Sequence, residues 1–418
     1  MYEGDALALA KDGMPGFNPE LFAAMADMIY KKGGFDINQL KSKEARSVMA
    51  ETARIINSGV SSSLPEDCPD ALRYALENNA FIFSGFKTFH SMREIGLSMV
   101  TDRGTVKQYE DFKKDVQRIN AHYNTNYLHA EYYHAVGSAQ MAARWNEYAK
   151  DGDRYDLQYR TAGDSRVREE HRLLDGITLP VDDPFWDKYF PPNGWGCRCE
   201  AVQVRKGKYT LSDSADSMRK GDNITAGVKQ QMFRFNPGKT MKLFPPKHPY
   251  YPKGCEGCTK RINLAYEPDS ERCQSCNCIT RYALNQIKNS AVKDMKSKNI
   301  APYRKNDDRF VTGKMYCGNS DRKNLIQHIE DISMLSVALD IDNILETISE
   351  GQYEDIVPSH MTPAKARRCV IKYSKYQFQR TLHINGEEVV KTIQLKCEVR
   401  QPRGSIAKEY PYSVRIVE

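Results

Sequence analysis

Hydrophobic side chains recur every three or four residues through most of the first 150 residues, which is the period of an amphipathic helix. The segments 71–100 and 107–149 show this period most clearly. In the second segment the apolar and aromatic positions are Phe112, Val116, Ile119 and Tyr123 on one face, followed by Tyr127, Leu128 and Met141. Residues 57–70, "NSGVSSSLPEDCPD", predict a loop and a helix that starts near Pro69. The pattern therefore predicts a helical region over residues 1–150.

The pattern changes at residue 151, where turn-forming residues become frequent. Strand-like pieces are predicted at 157–161 and 197–204, and the residues between them are rich in Asp, Gly and Pro. Residues 205–250 are polar and basic, and they predict an irregular extension. A basic helix is predicted over residues 280–298.

The last hundred residues show a helical period first and a strand period afterwards. Two helical faces are predicted, formed by Leu325, Ile329 and Ile332 and by Ile341, Ile344, Leu345 and Ile348, with Asp340 or Asp342 as the cap of the second. After the region of Pro363 the pattern becomes strand-like, and Asn385–Gly386 is typical of a hairpin turn. Helices followed by an antiparallel meander predict an α+β domain.

Composition indicates a globular chain without a membrane span. Hydrophobic residues make up 40% of it and charged residues 28%, and no apolar run reaches about 18 residues. The opening residues, "MYEGDALALAKDGMPGF", lack the basic start and the apolar stretch of a signal peptide. We therefore expect synthesis in a reducing compartment, where clustered cysteines favour metal ligation over disulfides. Seven of the 11 cysteines lie between residues 197 and 278.

Two CxxC pairs, "CEGC" from residue 255 and "CQSC" from residue 273, carry the strongest chemical signal. Each pair forms a tight turn that points both thiolates inward, and two pairs complete a tetrahedral sulfur site for Zn2+. The predicted ligands of this structural zinc are Cys255, Cys258, Cys273 and Cys276, with Cys278 as an alternative to Cys276. An iron–sulfur cluster would use the same ligands, but the spacing fits zinc better. Four protein ligands leave no open position for catalysis.

A second cysteine motif lies in "PPNGWGCRCE" at 191–200, where Cys197 and Cys199 share one face of an extended segment. His171 lies upstream, with Asp164 seven residues before it. These four side chains predict a mixed zinc site. The alternative is that both cysteines are small buried residues and that His171 caps or hydrogen-bonds the turn.

A chain of 418 residues is longer than one hydrophobic core usually serves. We predict an α+β multidomain protein with an N-terminal helical region, a small turn-rich α+β domain, a zinc ribbon-like insertion, and C-terminal helices followed by an antiparallel sheet. The predicted boundaries of these four parts are 1–150, 151–250, 251–280 and 281–418.

The net charge of +7 is modest, but it is unevenly distributed. Residues 280–323 contain 11 Lys or Arg against 4 acidic residues. A stretch of this kind can contact phosphate backbones. The alternative is a solvated helix face followed by a linker.

Residues 159–204 resemble the phage Mu F-like head morphogenesis domain. The family pattern is an Arg-Thr, an Asp, Arg-Val-Arg, a His and a Gly, then Pro, Asp and Trp, and finally Pro, a Gly turn and Cys-Arg-Cys. The matching residues are Arg160, Thr161, Asp164, Arg166, Val167, Arg168, His171, Gly176, Pro180, Asp183, Trp186, Pro192, Gly194, Cys197, Arg198 and Cys199. The segments "NNAFIFSGFKT" and "YNTNYLHAEYYHAVGSAQMAARW" also resemble the family, so the resemblance covers about the first half of the chain.

The resemblance implies a minor head protein that assists head assembly at the portal vertex and lies inside the phage head. It would be made in the cytoplasm of the bacterial host, and its partners would be the portal and other head proteins. Residues 280–323 would then lie against packaged DNA, or against host RNA, through phosphate contacts that carry no sequence information.

Proteins similar to this family often carry a variable C-terminal domain, sometimes a toxin-like nuclease of the barnase, colicin and RelE-like group. This resemblance implies an alternative function, a packaged effector whose C-terminal domain is a metal-independent ribonuclease. Such an enzyme needs an acid or base and cations for the phosphate, and the candidate catalytic residues are His328, Arg380 and Arg400. We favour a nuclease-like fold over an active nuclease. A zinc-dependent DNA-binding regulator ranks last because it leaves residues 159–204 unexplained.

Overall fold

The structure is a computed structural model that describes residues 13–252, 271–356, 361–384 and 387–417. The described residues divide into two compact units, one up to Ala283 and the other from Leu284 onward. Within those ranges, no helix combines the length and the apolar character that a membrane crossing requires.

The first unit begins with a helical region. Its main elements are α1 (Pro19–Lys31), α2 (Lys43–Ser63), α3 (Asp70–Ser98), α4 (Tyr109–Asn120) and α5 (Leu128–Tyr148), with a 3₁₀ turn at Ile37–Lys41 and a π-helical segment at Ala121–Tyr127 that joins α4 to α5. The predicted apolar face of α4 is buried in their common core, as are Leu128 on α5 and Ile95 on α3. The predicted helical region is therefore present.

The loop predicted over residues 57–70 is shorter than expected, because α2 continues to Ser63. The hydroxyls of Ser58, Ser62 and Ser63 donate to main-chain carbonyls three residues earlier in the helix, which satisfies them without ending it. Gly59 also belongs inside the helix, since a Cβ atom there would lie 2.6 Å from the ring of Tyr132. The small and polar residues that suggested a loop thus serve a close contact between helices.

A three-stranded antiparallel sheet follows in the same unit. Its strands are β1 (Tyr155–Arg160), β2 (Thr178–Pro180) and β3 (Glu200–Arg205), in the order β2-β1-β3, and they are accompanied by α6 (Glu169–Arg172), α7 (Phe185–Tyr189), α8 (Ser214–Ile224), a 3₁₀ turn at Gln231–Phe233 and α9 (Pro237–Thr240). Leu157 at the centre pairs with Leu179 and Gln203. The strand predicted from residue 197 begins at Glu200, because the residues before it form a turn. The predicted extension at 205–250 is less irregular than expected, since it contains α8.

The second unit contains a six-stranded sheet with helices in its connections. The elements are β4 (Tyr303–Asn306), β5 (Lys314–Cys317), α11 (Asn319–His328), α12 (Ser333–Leu339), α13 (Ile341–Thr347), β6 (Gln352–Glu354), α14 (Pro363–Arg367), β7 (Val370–Ile384), β8 (Glu387–Arg400) and β9 (Lys408–Ile416). They follow α10 (Glu271–Ser297), whose first part belongs to the first unit. The sheet order is β4-β5-β9-β8-β7-β6, and only β5 and β9, among the described strands, pair in parallel.

The mixed α+β class with C-terminal helices and a largely antiparallel sheet is confirmed. β7 and β8 pair up to Ile384 and Glu387, and the predicted turn at Asn385–Gly386 lies outside the described residues. The buried helical side chains Leu325, Ile341 and Leu345 belong to the predicted faces. Most of the predicted zinc ribbon-like insertion lies outside the described residues.

Candidate metal centre

The Cys-Arg-Cys motif is delivered by a tight turn between α7 and β3. The main-chain N–H of Cys197 donates to the carbonyl of Gly194 at 3.2 Å, which closes the turn. Gly196 adopts a φ of 66°, a left-handed conformation that favours glycine. Cys199 directly precedes β3, and β3 is hydrogen-bonded to the central strand β1. The turn is therefore anchored on the sheet.

His171 meets both cysteines. Its Nδ1 atom lies 3.6 Å from Sγ of Cys197 and 3.5 Å from Sγ of Cys199. The three candidate donor atoms all lie within 4.8 Å of one another. Among the residues that the structure describes, these three side chains form the cluster of His, Cys, Asp or Glu donors that is close enough to hold a metal ion. His171 and Cys199 are buried, and Cys197 is half-buried.

The two thiols have different acidities in this arrangement. A hydrogen bond from Cys199 holds the pKa of Cys197 well below its ordinary value, and His171 acts in the same direction. The same hydrogen bond, together with burial, raises the pKa of Cys199. A metal that binds here would need both thiols deprotonated, so its binding would release protons and weaken as the pH decreases.

Asp164, the predicted fourth ligand, is held elsewhere. Its Oδ2 accepts from Nη1 of Arg198 at 2.7 Å and its Oδ1 accepts from Nη2 at 2.6 Å, while the main-chain N–H of Arg166 donates to Oδ1 at 3.0 Å. These bonds from Arg198 lower the pKa of Asp164. Arg198 thus extends toward Asp164 while Cys197 and Cys199 on either side meet His171.

The donor set fits zinc. Two thiolates and one imidazole are typical zinc ligands, and a tetrahedral ion would take its fourth ligand from outside this group. In the structure Asp164 contacts the motif through Arg198 and is not part of the group formed by His171, Cys197 and Cys199. Sequence reasoning named Arg198 only as part of the family pattern and missed its ion pair with Asp164, although an arginine between the two cysteines must point away from them in an extended segment.

The CxxC cysteines are only partly covered by the described residues. Cys255 and Cys258 lie outside them, whereas Cys273, Cys276 and Cys278 lie in the first turns of α10 and are half-buried. Cys276 and Cys278 pack against the core of the helical region. A zinc ion on the CxxC pairs therefore stays a prediction.

Two of the three proposed catalytic residues have their polar groups engaged in local contacts. His328 is exposed at the end of α11, with Nδ1 2.7 Å from a carbonyl one turn earlier and its ring 4.4 Å from that of Tyr412. Arg380 forms an ion pair with Asp340. Neither contact resembles a phosphate site.

The third residue, Arg400, is far from Arg380. Its Nη2 atom lies 3.0 Å from a carboxylate oxygen of Asp321 and 2.9 Å from one of Glu398, both of them buried. Arg380 pairs with Lys391 across β7 and β8, nine residues along β8 from Arg400. At about 3.3 Å per residue, the separation along the strand is roughly 30 Å. The three residues therefore do not converge on one cleft, as the ribonuclease alternative would require.

Many cations of the basic stretch are already paired within the second unit. Ion pairs join Arg309 to Asp307, Lys305 to Glu346 and Arg322 to Asp342. Lys288 is buried, which lowers its pKa, and its Nζ donates to a main-chain carbonyl. Contact of residues 280–323 with DNA or RNA stays a prediction.

Comparison with known proteins bears on the segment that holds the metal centre. The family model described as Phage Mu protein F like protein matches residues 102–202. This segment is Mu F-like. It begins just after α3 and runs through α4, α5, β1 and β2 into β3, and it contains Asp164, His171, Cys197 and Cys199.

Two curated proteins are similar to the chain. The Mu-like prophage FluMu F protein of Haemophilus influenzae is 37% identical over 89 residues, which are 19% of this chain and 22% of that protein. The putative capsid assembly protein F of Escherichia phage Mu is 27% identical over 139 residues, which are 32% of this chain and 30% of that protein. The chain thus spans less than one third of either relative's length. No solved structure matches it significantly.

Proposed function

We propose that the chain is a head protein of a Mu-like phage or prophage and that it takes part in capsid assembly. The observation that carries the proposal is the match of residues 102–202 to the Mu F-like family, together with the similarity to a protein named as a putative capsid assembly protein. The motif that holds the candidate metal centre lies inside this segment. Its partners would be other phage head proteins.

The finer proposal places the chain at the portal vertex, packaged inside the head, where the helical region would bind the portal. The packed core of α1 to α5 supports it by supplying a rigid platform that could hold a binding surface in place. A ribonuclease effector has no comparable support, because Arg380 and Arg400 are far apart and both form ion pairs.

We also propose that His171, Cys197 and Cys199 hold one zinc ion and that the CxxC pairs hold another. The first ion would be structural, because its ligands join the short helix α6 to the entrance of β3. The three side-chain donors and the burial of His171 and Cys199 support zinc binding, and a structural ion would take its fourth ligand from the chain, because structural zinc sites are closed by four protein ligands.

A stop codon early in the gene tests the assembly function. On induction of a lysogen with this change, we expect DNA-filled heads to disappear from electron micrographs, because a missing head protein blocks assembly or packaging. Plasmid-borne expression of the chain should restore them, and a synonymous change at the same codon should have no effect. Normal infectious particles without the chain would contradict the proposal. Protease treatment of intact and ruptured heads, followed by immunoblotting, decides whether the chain lies inside.

Asp164→Asn tests the positioning of the cysteines. The variant keeps the shape of the side chain but removes the charge that holds Arg198, so the thiols are less well oriented. We expect one zinc ion still to bind, with affinity about 10-fold to 100-fold weaker, as for other residues that orient metal ligands. Competition with a chromophoric chelator measures the affinity. Arg198→Lys, which cannot form the two-pronged pair, should behave in the same way. Complete loss of this zinc from Asp164→Asn would instead identify Asp164 as a ligand.

A further inference from the structure

A cavity of about 1220 Å³ lies in the first unit, beside the Cys-Arg-Cys turn. Its walls come from the start of α5, residues 168–171 at the start of α6, the turn itself and the segment from the end of α8 to residue 251. We call it the aromatic cavity, after Tyr127, Trp195, Phe233, His248, Tyr250 and Tyr251, which line it together with charged residues. Its volume exceeds the roughly 300–1,000 Å³ of ordinary small-molecule pockets.

The aromatic side chains that line the cavity contact one another. The ring of Trp195 meets Phe233 at 5.3 Å and His248 at 5.7 Å, both edge to face, and His248 meets Tyr250 at 4.5 Å. The hydroxyl of Tyr250 donates to buried Glu131 at 3.2 Å, and Glu131 forms an ion pair with buried Lys87. Such contacts give a wall that exists before a ligand binds.

Apolar side chains are also exposed where they line the cavity. Val228 is 87% exposed and Tyr127 is 43% exposed. These two exposed side chains line the same cavity as the aromatic wall. An exposed apolar surface of this kind is typical of a contact site for another macromolecule.

The charges that line the cavity select the kind of partner. Arg168, Lys229 and Lys247 are exposed and have no carboxylate within ion-pair distance in the ranges that the structure describes. The guanidinium of Arg168 donates to the main-chain carbonyl of Trp195 and keeps its charge uncompensated. Glu170 is the opposing acid, and Glu131 is already neutralised by Lys87. The surface therefore carries an excess of positive charge.

We propose that the aromatic cavity binds a polypeptide segment of another head protein, with an apolar or aromatic side chain inserted and acidic residues on either side of it. The identity of the partner as a head protein rests on the proposed function. The chemistry of the bound segment rests on the residues that line the cavity. A nucleic acid fits less well, because three cations and the acid Glu170 offer few contacts to a continuous phosphate chain.

Selection from a displayed library of random dodecapeptides on the purified full-length chain tests this inference. We expect enrichment of peptides in which aromatic or large apolar residues stand between Asp or Glu residues. Fluorescence anisotropy of the selected peptide then measures its affinity for charge variants. The double variant Lys229→Glu and Lys247→Glu should bind it about tenfold more weakly, and Lys206→Glu with Lys208→Glu, equally exposed but outside the cavity, should bind it normally.

Val228→Asp should likewise weaken binding, while Val106→Asp, an exposed valine elsewhere, should not. All these positions are exposed, so the variants are expected to fold. The inference is overturned if selection enriches no peptide, if the selected peptides lack acidic residues, or if the charge-reversed cavity binds them equally well. Tighter binding of oligothymidylate than of any peptide would make the cavity a nucleic-acid site and overturn it too. None of these outcomes depends on head assembly, which the stop-codon experiment tests separately.

Discussion

His171→Asn is expected to remove one equivalent of zinc from the purified chain. The change deletes the nitrogen donor that lies 3.5 Å and 3.6 Å from the two sulfur atoms and leaves both cysteines in place. An ion that binds only the folded state stabilises it by about 4 kcal/mol when it is present at 1,000 times its dissociation constant. The unfolding temperature of the wild type should therefore rise when zinc is added. The part of this rise that is due to zinc at His171 should be absent from the variant.

Other cysteines supply the controls for this measurement. Cys68→Ser changes a half-buried cysteine outside both predicted sites and should keep the full zinc content. Cys199→Ser should lose the same ion as His171→Asn, and Cys273→Ser should lose the other predicted ion. Elemental analysis that finds equal zinc in the wild type and in His171→Asn would reject the site and leave the buried cluster as a packing contact.

The cysteine motif could be predicted from sequence because its geometry is local. Two residues that alternate in an extended segment share one face wherever the segment lies, so Cys197 and Cys199 had to be neighbours. His171 lies in a short helix 26 residues before Cys197, and it was a candidate ligand as the histidine upstream of the motif. Its contact with both sulfur atoms depends on the fold and does not follow from the spacing. The role of Asp164 could not be predicted, because nothing in its sequence spacing reveals that Arg198 occupies both of its oxygens.

The fold shows the same division between local and distant information. The long helices and the β7–β8 hairpin follow from periodicity, which a strand or helix carries within itself. The parallel pairing of β5 with β9 joins Met315 to Glu409 across almost one hundred residues, and local periodicity cannot predict such a pair. For the same reason the distance between Arg380 and Arg400 follows from the register of β7 and β8 and not from local periodicity.

Replacing Lys87 by methionine is expected to destabilise the first unit by about 3–5 kcal/mol, the cost of leaving one member of a buried ion pair without its partner. Lys87 on α3 and Glu131 on α5 are both almost completely buried. Burial already raises the pKa of Glu131, and Lys87 opposes that shift. Without Lys87 the pKa of Glu131 in the folded state rises further above its unfolded value. The loss should therefore be smaller in acid, where Glu131 is protonated, and larger as the pH increases.

The double variant Lys87→Met with Glu131→Gln separates charge burial from packing. It removes both charges and keeps a group that can accept the hydrogen bond from Tyr250. Most of the stability lost in Lys87→Met should therefore return, and the dependence of that loss on pH should disappear. Lys114→Met is the matched control, because Lys114 and Asp111 form an exposed pair whose loss should leave unfolding unchanged. Chemical denaturation across pH measures all three variants. A double variant as unstable as Lys87→Met would show that the cost lies in packing. Lys87 and Glu131 would then owe their place between α3 and α5 to shape rather than to charge.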